Sequence, residues 1–274
     1  MKQERLNEKK KQLEKRLKKF GSLLIAFSGG ADSAFLLAAA RQALGENVMA
    51  VTMDSAIHTA AEKKEAAAFA KKIGVRHKIM PSNEMGDPDF LANKADRCYI
   101  CKKNRFAQIR ALAKTLKIPH IAHGENLDDL SDVRPGFKAA QELNIAAPLI
   151  EAMMRKEDIR SLSRQMGLET WDKPATGCLA TRIPCGTAIT PAALSMVEQG
   201  EATLHRAGFT ACRVRHHGEM ARIEIDPDEF KKILDPKTSK KTAVAFKKIG
   251  YVYISLDLEG YAHGGMRQPD PNRQ

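Results

Sequence analysis

Leu23-Leu24-Ile25-Ala26-Phe27-Ser28-Gly29-Gly30-Ala31-Asp32-Ser33 places an apolar run, a double-glycine turn and the start of a second apolar stretch in direct succession. Five uninterrupted apolar residues predict a buried strand, and Ala34 to Ala40, which contains no helix breaker, predicts a buried helix. Gly29 and Gly30 permit the close backbone approach that a phosphate needs, and the helix that follows offers its N-terminal amides and the positive end of its dipole. The turn therefore reads as an anion cradle for a nucleotide, with Ser28, Gly29, Gly30, Asp32 and Ser33 as its contact residues.

The cradle is not a Walker A loop, which needs two glycines five residues apart followed by Lys and Ser or Thr. Its charged residue is Asp32. An acid beside a phosphate cradle is explained if it holds Mg²⁺ against the polyphosphate. The pattern S-G-G-x-D-S resembles the PP-loop of the ATP pyrophosphatases. That resemblance implies ATP as cofactor, cleavage between its α and β phosphates, and transfer of AMP to a substrate oxygen.

Outward from the loop, apolar strand patterns at 22–27, 48–53, 75–80 and 119–123, with another near 147–150, alternate with helical patterns at 33–44, 59–73, 102–116 and 155–166. This alternation predicts an α/β fold, a parallel doubly wound Rossmann-like sheet covered on both faces. Ligands in such sheets bind at the carboxyl ends of the strands. Met53 in MDS and Gly124 in HGENLDD follow the second and fourth strands, so both are expected at the nucleotide crevice. Beyond the Gly- and Pro-containing stretch TGCLATRIPCGTAIT the pattern changes. A helix at 190–207, a hairpin of 211–216 and 220–225 turning at His217 and Gly218, two short helices and a strand at 251–256 predict a smaller α+β domain. The expected organisation is a basic helix over 1–20, the nucleotide domain over 21–187, the small domain over 188–263, and a flexible tail over 264–274.

The 274 residues are 43% hydrophobic, enough for one large core or two modest ones. No apolar run is long enough to span a membrane and no signal-peptide core is present, so a cytoplasmic location is expected. The net charge is +12, and residues 1–20 carry nine Lys or Arg against three Glu. Leu6, Leu13, Leu17 and Phe20 recur there at helical spacing, which reads as an amphipathic helix with a solvated basic face. Aromatic residues make up 5% and none interleave with Arg or Lys, so nucleic acid is disfavoured as a partner.

Five cysteines without a secretion signal favour metal or thiol chemistry over disulfides. Cys98 and Cys101 form a C-x-x-C pair, which supplies two metal ligands or a redox dithiol, and Cys178 lies about eighty residues on. Three thiolates also suit an iron–sulfur cluster with one iron left open.

DVRPGFKAA at 132–140, WDKPATGCLATRIPCGT at 171–187 and RVRHHGEMARIEI at 213–225, taken with SGGADS, resemble the LarE family of ATP-dependent sulfur transferases. The resemblance spans nearly the whole chain. It implies a nicotinic-acid-derived mononucleotide dicarboxylate as substrate, adenylated at its carboxylates and converted to thiocarboxylates for a nickel-pincer nucleotide. It also implies assembly as a homo-oligomer. In single-cysteine members the sulfur comes from the cysteine that matches Cys178. A second subgroup carries three cysteines and a [4Fe-4S] cluster; on that pattern Cys98, Cys101 and Cys178 would ligate the cluster here, with sulfide or another sulfur donor supplying it.

In this motif context Lys102, Arg134 and Arg182 are expected to neutralise bound anions, with Arg134 and Gly124 counted at the ATP end. Arg213 and Arg215, with Glu201 and Glu224 nearby, are expected at the substrate phosphate. Taken as isolated residues, Arg213, Arg215 and Glu224 read as an exposed cross-strand ion pair. Cys212 is read as a packed core thiol, Cys185 stays open, His216 and His217 are read as turn residues without a special role, and Trp171 as packing between domains. Two other classes compete: a PP-loop tRNA thiolase with a [4Fe-4S] cluster, favoured by the lysine-rich helix, and a non-enzymatic adenine-nucleotide sensor.

Overall fold

The computed structural model describes residues 2–130, 135–174 and 176–261. Along the chain the elements are α1 (Lys2–Phe20), β1 (Leu23–Ala26), α2 (Ala31–Leu44), β2 (Val48–Asp54), α3 (Ala60–Lys72), β3 (Arg76–Pro81), α4 (Pro88–Leu91), α5 (Arg97–Thr115) and β4 (His120–His123). They continue as α6 (Pro135–Glu142), α7 (Pro148–Glu151), α8 (Lys156–Gln165), α9 (Pro191–Arg206), β5 (Cys212–His217), β6 (Met220–Ile225), α10 (Phe230–Leu234), α11 (Pro236–Ile249) and β7 (Tyr253–Leu256). The chain forms two compact units, the first from Met1–Asp87 and Asp96–Thr176, the second from Pro88–Ala95 and Gly177–Gln274. The second unit thus starts before the expected residue 188, and it takes in a short excursion from the first half of the chain.

In the first unit four parallel strands lie in the order β3-β2-β1-β4. The period of two decides which side chains go where. Leu23 and Ile25 of β1, with Val48 and Ala50 of β2, join one core with α1, α2, α3 and α8. Leu24, Val51 and Met53 join the other, with Phe106 and Ile109 of α5 and Ala140 of α6. Both faces are covered at the centre of the sheet, so β1 is apolar throughout and not alternating. Leu23, Leu24 and Ile25 are fully buried, each contributing about 1.5–3 kcal/mol. Leu13 and Leu17 anchor α1 to this core, so Lys11, Lys15, Lys18 and Lys19 face outward.

The expected strand near 147–150 is instead the helix α7, with Pro148 in its first turn. Its sheet contact is a single bridge between Ala122 and Ala146. Proline at the start of a helix gives up an amide that would have no partner there, whereas inside a sheet it would break the ladder. Helix α5 begins at Arg97, earlier than its pattern suggested, and so carries both Cys98 and Cys101.

In the second unit β5 and β6 form the antiparallel hairpin, turning at Gly218 with φ +64°, and β7 adds parallel to β6. Cys212, Val214, Ile223 and Ile225 face a core shared with Leu204, Phe246 and Tyr251. Of the two helices expected as short, α11 runs for 14 residues from Pro236 and is capped by Asp235, whose carboxylate accepts from Lys237 N and Thr238 N. No helix among the described residues is long and apolar enough to cross a membrane. The expected flexible tail lies outside the described residues.

Candidate nucleotide and sulfur sites

At the carboxyl end of β1 the glycine turn is held by its own serines. Ser28 Oγ lies 3.0 Å from Ser33 Oγ and accepts from Gly30 N at 3.3 Å, while Ser33 Oγ donates to Gly30 O at 3.1 Å. Gly29 has φ +76°, and a Cβ there would stand 3.1 Å from Ala66 Cβ. Gly30 is the N-cap of α2 without a side-chain cap, leaving the amides of the first turn for a ligand. Gly124, at the end of β4, packs so closely that a Cβ would sit 2.8 Å from Ser33 Cα and Ser33 N. The turn is thus wedged between α3 and the end of β4. Lys173 Nζ clasps it from outside, donating to Gly29 O at 3.0 Å while pairing with Glu65 at 2.8 Å.

The turn opens on a cavity of about 470 Å³, in the range of small-molecule sites. Phe27, Val51, Met53, Phe106 and Ile109 line it on the apolar side, and Ser28, Gly30, Asp32 and Ser33 on the polar side. Burial raises the pKa of Asp32, and the charge of Asp129 raises it further, against Lys156, Arg160 and the bond from Asn126 Nδ2 at 3.2 Å. Asp129 is itself buried and accepts from Asn126 N at 3.1 Å. Two mutually repelling carboxylates beside a phosphate cradle fit Mg²⁺, which takes one or two protein carboxylates and completes its shell with water and phosphate oxygens. Among the described residues no three His, Cys, Asp or Glu side chains converge as a metal-holding group.

Three further groups reach the cavity from α5 and the end of β4. Lys102 pairs with the buried Glu125. His123 stands 3.8 Å from that carboxylate, its Nε2 is buried without a hydrogen-bond partner, and burial pushes its pKa down to about 4. The imidazole is therefore neutral at physiological pH. Arg105 is bound by Glu84 at 3.0 Å and lies 2.9 Å from His58 Nε2; Glu84, fully buried, also takes bonds from Ser55 and Ser82. Burial and the neighbouring guanidinium push the His58 pKa to about 4 as well. Cys98 and Cys101 sit about one turn apart at the start of α5, Cys98 exposed and Cys101 buried. Arg134 lies outside the described residues.

In the second unit Cys178 is partly exposed and immediately precedes the 3₁₀ turn Leu179–Arg182. Arg182 and Arg215 hold that turn from below. Arg182 forms a two-pronged ion pair with Glu201 at 2.9 and 3.1 Å, and its remaining nitrogen donates to the carbonyls of Gly177 and Cys178 and to Thr181 Oγ1. Arg215 pairs in the same two-pronged manner with Glu224 at 2.8 and 2.7 Å and donates to Thr181 O at 3.2 Å. All four charged side chains are buried. The expected exposed cross-strand pair is therefore a buried one, and it runs diagonally, because the register partner of Glu224 is Arg213. Arg213 is half-buried and stacks on Tyr261, 5.0 Å from the ring centroid.

Two of the expected readings are corrected here. His216 is buried within β5, its Nδ1 3.2 Å from Tyr251 Oη, because its parity places it on the core face. Trp171 is 37% exposed and packs under Arg164 of its own unit, 5.1 Å from the ring centroid. Cys212 is fully buried, and burial pushes its thiol up to about 12. Cys185 is exposed in a turn whose neighbouring carbonyls, Pro184 O and Thr187 O, are both held by Asn93 at 2.8 Å. Motif reading missed Glu125, Asp129, Lys156, Arg160 and Lys173. The first two stand in HGENLDD and the last in WDKPATG, while the i, i+4 cations Lys156 and Arg160 look like any solvated helix face.

A model of the PP-loop domain matches residues 2–133. The chain is 38% identical over 252 residues to an uncharacterised protein of Synechocystis sp., covering 91% of this chain and 94% of that one. It is 28% identical to an uncharacterised protein of Methanocaldococcus jannaschii, covering 87% of this chain and 90% of that one. To the pyridinium-3,5-bisthiocarboxylic acid mononucleotide synthase of Lactiplantibacillus plantarum it is 31% identical over 259 residues, 94% of this chain and 93% of that one. A match of that extent takes in the glycine turn, the cavity behind it and the Cys178 loop together, and so the chain belongs to the LarE family of PP-loop ATP-using enzymes.

Proposed function

We propose that the chain is an ATP-dependent sulfur transferase that adenylates the carboxylates of pyridinium-3,5-biscarboxylic acid mononucleotide and converts them to thiocarboxylates. The observation that carries this reading is the identity to the Lactiplantibacillus plantarum synthase over 94% of the chain, with a PP-loop cavity of nucleotide size behind it. A carboxylate is a poor electrophile because oxide would have to leave. Attack of its oxygen on the α phosphorus expels pyrophosphate and makes an acyl adenylate; sulfur then attacks the acyl carbon and AMP leaves with the bonding pair. Ser28, Gly29, Gly30 and Ser33 would cradle the phosphates, Asp32 and Asp129 would hold Mg²⁺, and Met53 and Gly124 would border the nucleotide.

Cys178 is the residue to which the sulfur step is assigned. The carbonyls on either side of its Cα, those of Gly177 and Cys178, both accept from Arg182, which fixes the backbone that presents the thiol. Cys98 and Cys101 offer two soft thiol ligands about one turn apart on α5, and with Cys178 they would hold a [4Fe-4S] cluster. Such a cluster would supply an open iron able to carry a transferable sulfide. Arg213, half-buried beside the Arg215–Glu224 pair, is assigned to the substrate phosphate.

The test is formation of AMP and pyrophosphate in the presence of the dicarboxylate mononucleotide, followed by the intact mass of the protein. Product formation with loss of sulfur from Cys178 supports the sacrificial route, and product with an unchanged chain supports cluster delivery. Anaerobic reconstitution with an iron and sulfide count, repeated on Cys98→Ala, tests the cluster itself. The lysine-rich α1 favours one other reading, a tRNA thiolase. That reading requires salt-dependent tRNA binding that stimulates AMP release. Intact ATP under all these conditions would leave only a nucleotide sensor.

A further inference from the structure

One face of α3 carries Glu62, Glu65, Ala66 and Lys72 at helical spacing. Ala66 abuts the glycine turn, where a Cβ on Gly29 would stand 3.1 Å from Ala66 Cβ. The other three are met in reverse order by the segment that leads to Cys178. Lys72 pairs with Glu169, Glu65 pairs with Lys173 at 2.8 Å, and Glu62 accepts from Thr176 Oγ1 at 2.7 Å. Glu169, Lys173 and Thr176 thus follow α3 in the antiparallel sense, and Lys173 Nζ also donates to Gly29 O at 3.0 Å. The contacts differ in strength. Lys72 and Glu169 are exposed, and such a pair contributes little. Glu62 is built in, because its other oxygen accepts from Thr59 N at 2.9 Å and closes the cap of α3. Burial works to raise the pKa of Glu62, but the hydroxyl of Thr176 and the amide of Thr59 outweigh it and hold the carboxyl below its ordinary range. The group is a carboxylate at neutral pH, and the bond from Thr176 is charge-assisted. Cys178 follows two residues later, and two residues span at most about 7 Å. Fixing Thr176 therefore limits the reach of the thiol.

Resting on the assignment of the sulfur step to Cys178, we propose that Thr176 and Glu62 are positioning residues for that step: their bond straps the segment before Cys178 to α3 and sets where the cysteine is presented. This holds whether the sulfur is that of Cys178 or is carried by a cluster that Cys178 ligates. Sulfur has to approach the acyl carbon along one line while AMP leaves with the bonding pair, and a displacement of about 1 Å can cost about a hundredfold in rate. Adenylation makes no such demand on the strap, since the carboxylate oxygen attacks the α phosphorus without the thiol. Lys173 is shared with the glycine turn, so Thr176 is the residue that separates the two steps.

Substrate-dependent exchange of labelled pyrophosphate into ATP reads adenylation alone, and thiocarboxylate formation reads both steps. Thr176→Val, which deletes the hydroxyl and keeps the branching, is expected to lower kcat for thiocarboxylate formation at least tenfold, while KM for ATP and the exchange rate stay within threefold. Thr176→Ser, which keeps the hydroxyl, should restore most of the loss. Hydrogen exchange needs no substrate. Over residues 170–178 it should run at least threefold faster in Thr176→Val than in the unmodified chain, with no change over 212–225. Equal losses in exchange and in thiocarboxylate formation, or unmodified rates in both, would overturn the strap, as would unchanged hydrogen exchange over 170–178. An unmodified chain that gives neither exchange nor product would sink the sulfur-transferase reading itself, and the hydrogen-exchange rates would still decide whether Thr176 holds the segment.

Discussion

Asp32 shows at single-residue scale how the site trades stability for function. Its carboxyl is held above its ordinary range by burial and by Asp129, so at neutral pH its charge works against the folded state. Asp32→Asn should melt at a higher temperature than the unmodified chain without nucleotide, while Mg²⁺-dependent ATP turnover disappears. A group with a raised folded pKa takes its proton early as pH falls, so the thermal advantage should shrink toward zero as the pH is lowered through 4. The Arg182–Glu201 pair makes the opposite case, since each charge needs the other once both are buried. Arg182→Ala leaves the Glu201 carboxylate without its counter-charge and should cost about 3–5 kcal/mol in urea unfolding. The cysteines can be ranked in one experiment. Iodoacetamide at pH 8 should label exposed Cys98 and Cys185 in the native protein, and Cys212 only after unfolding, as read by peptide mass spectrometry.

At the scale of elements, the strands of the first sheet were legible because apolar runs flanked by glycine and helical patterns have few other solutions. β1 needs only the five residues 23–27 to declare itself, and the glycine turn after it already names the ligand class. Where an apolar run is short the information fails: Ala147–Ile150 reads equally as strand or helix, and Pro148 decides for the helix. The start of α5 was hidden for another reason. Asp96 is of a type that starts helices but makes no side-chain cap bond, and the run RCYICKK after it has no apolar periodicity to extend the helical pattern back to Arg97. In the site, Gly124 was legible through its motif, but its reason was not. Only the fold shows that its missing side chain lets the end of β4 lie against the backbone of Ser33. Gly124→Ala should push these elements apart and weaken ATP binding at least tenfold, measurable by titration. Thr59 and Glu62 cap α3 reciprocally at the rim of the cavity. Thr59→Ala should cost about 1 kcal/mol of stability with a much smaller change in nucleotide affinity.

Across the whole molecule, histidine burial sets a common response to acid in both units. In the first unit His58 and His123 have pKa values near 4 and His77 is lowered by burial; in the second, burial lowers His216 and His217. An unfolded histidine takes its proton near 6.5, so between pH 6.5 and 4 the unfolded chain binds more protons than the folded one, and stability falls as pH falls through that window. His123 alone accounts for about 3 kcal/mol of this loss by pH 4. Glu84 extends the loss downward: although burial opposes its charge, Arg105 and the hydroxyls of Ser55 and Ser82 outweigh that, so its folded pKa is lowered and its contribution disappears below about pH 4.5. Urea midpoints should therefore be level from pH 8 to 7 and drop steadily from 6.5 to 4. His123→Gln, which cannot take up a proton in the unfolded state, should flatten the upper part of that slope. A midpoint that stays constant down to pH 5 in the unmodified chain would show that these imidazoles are solvated in the folded protein, and the burial of His123 beside Glu125 would have to be abandoned.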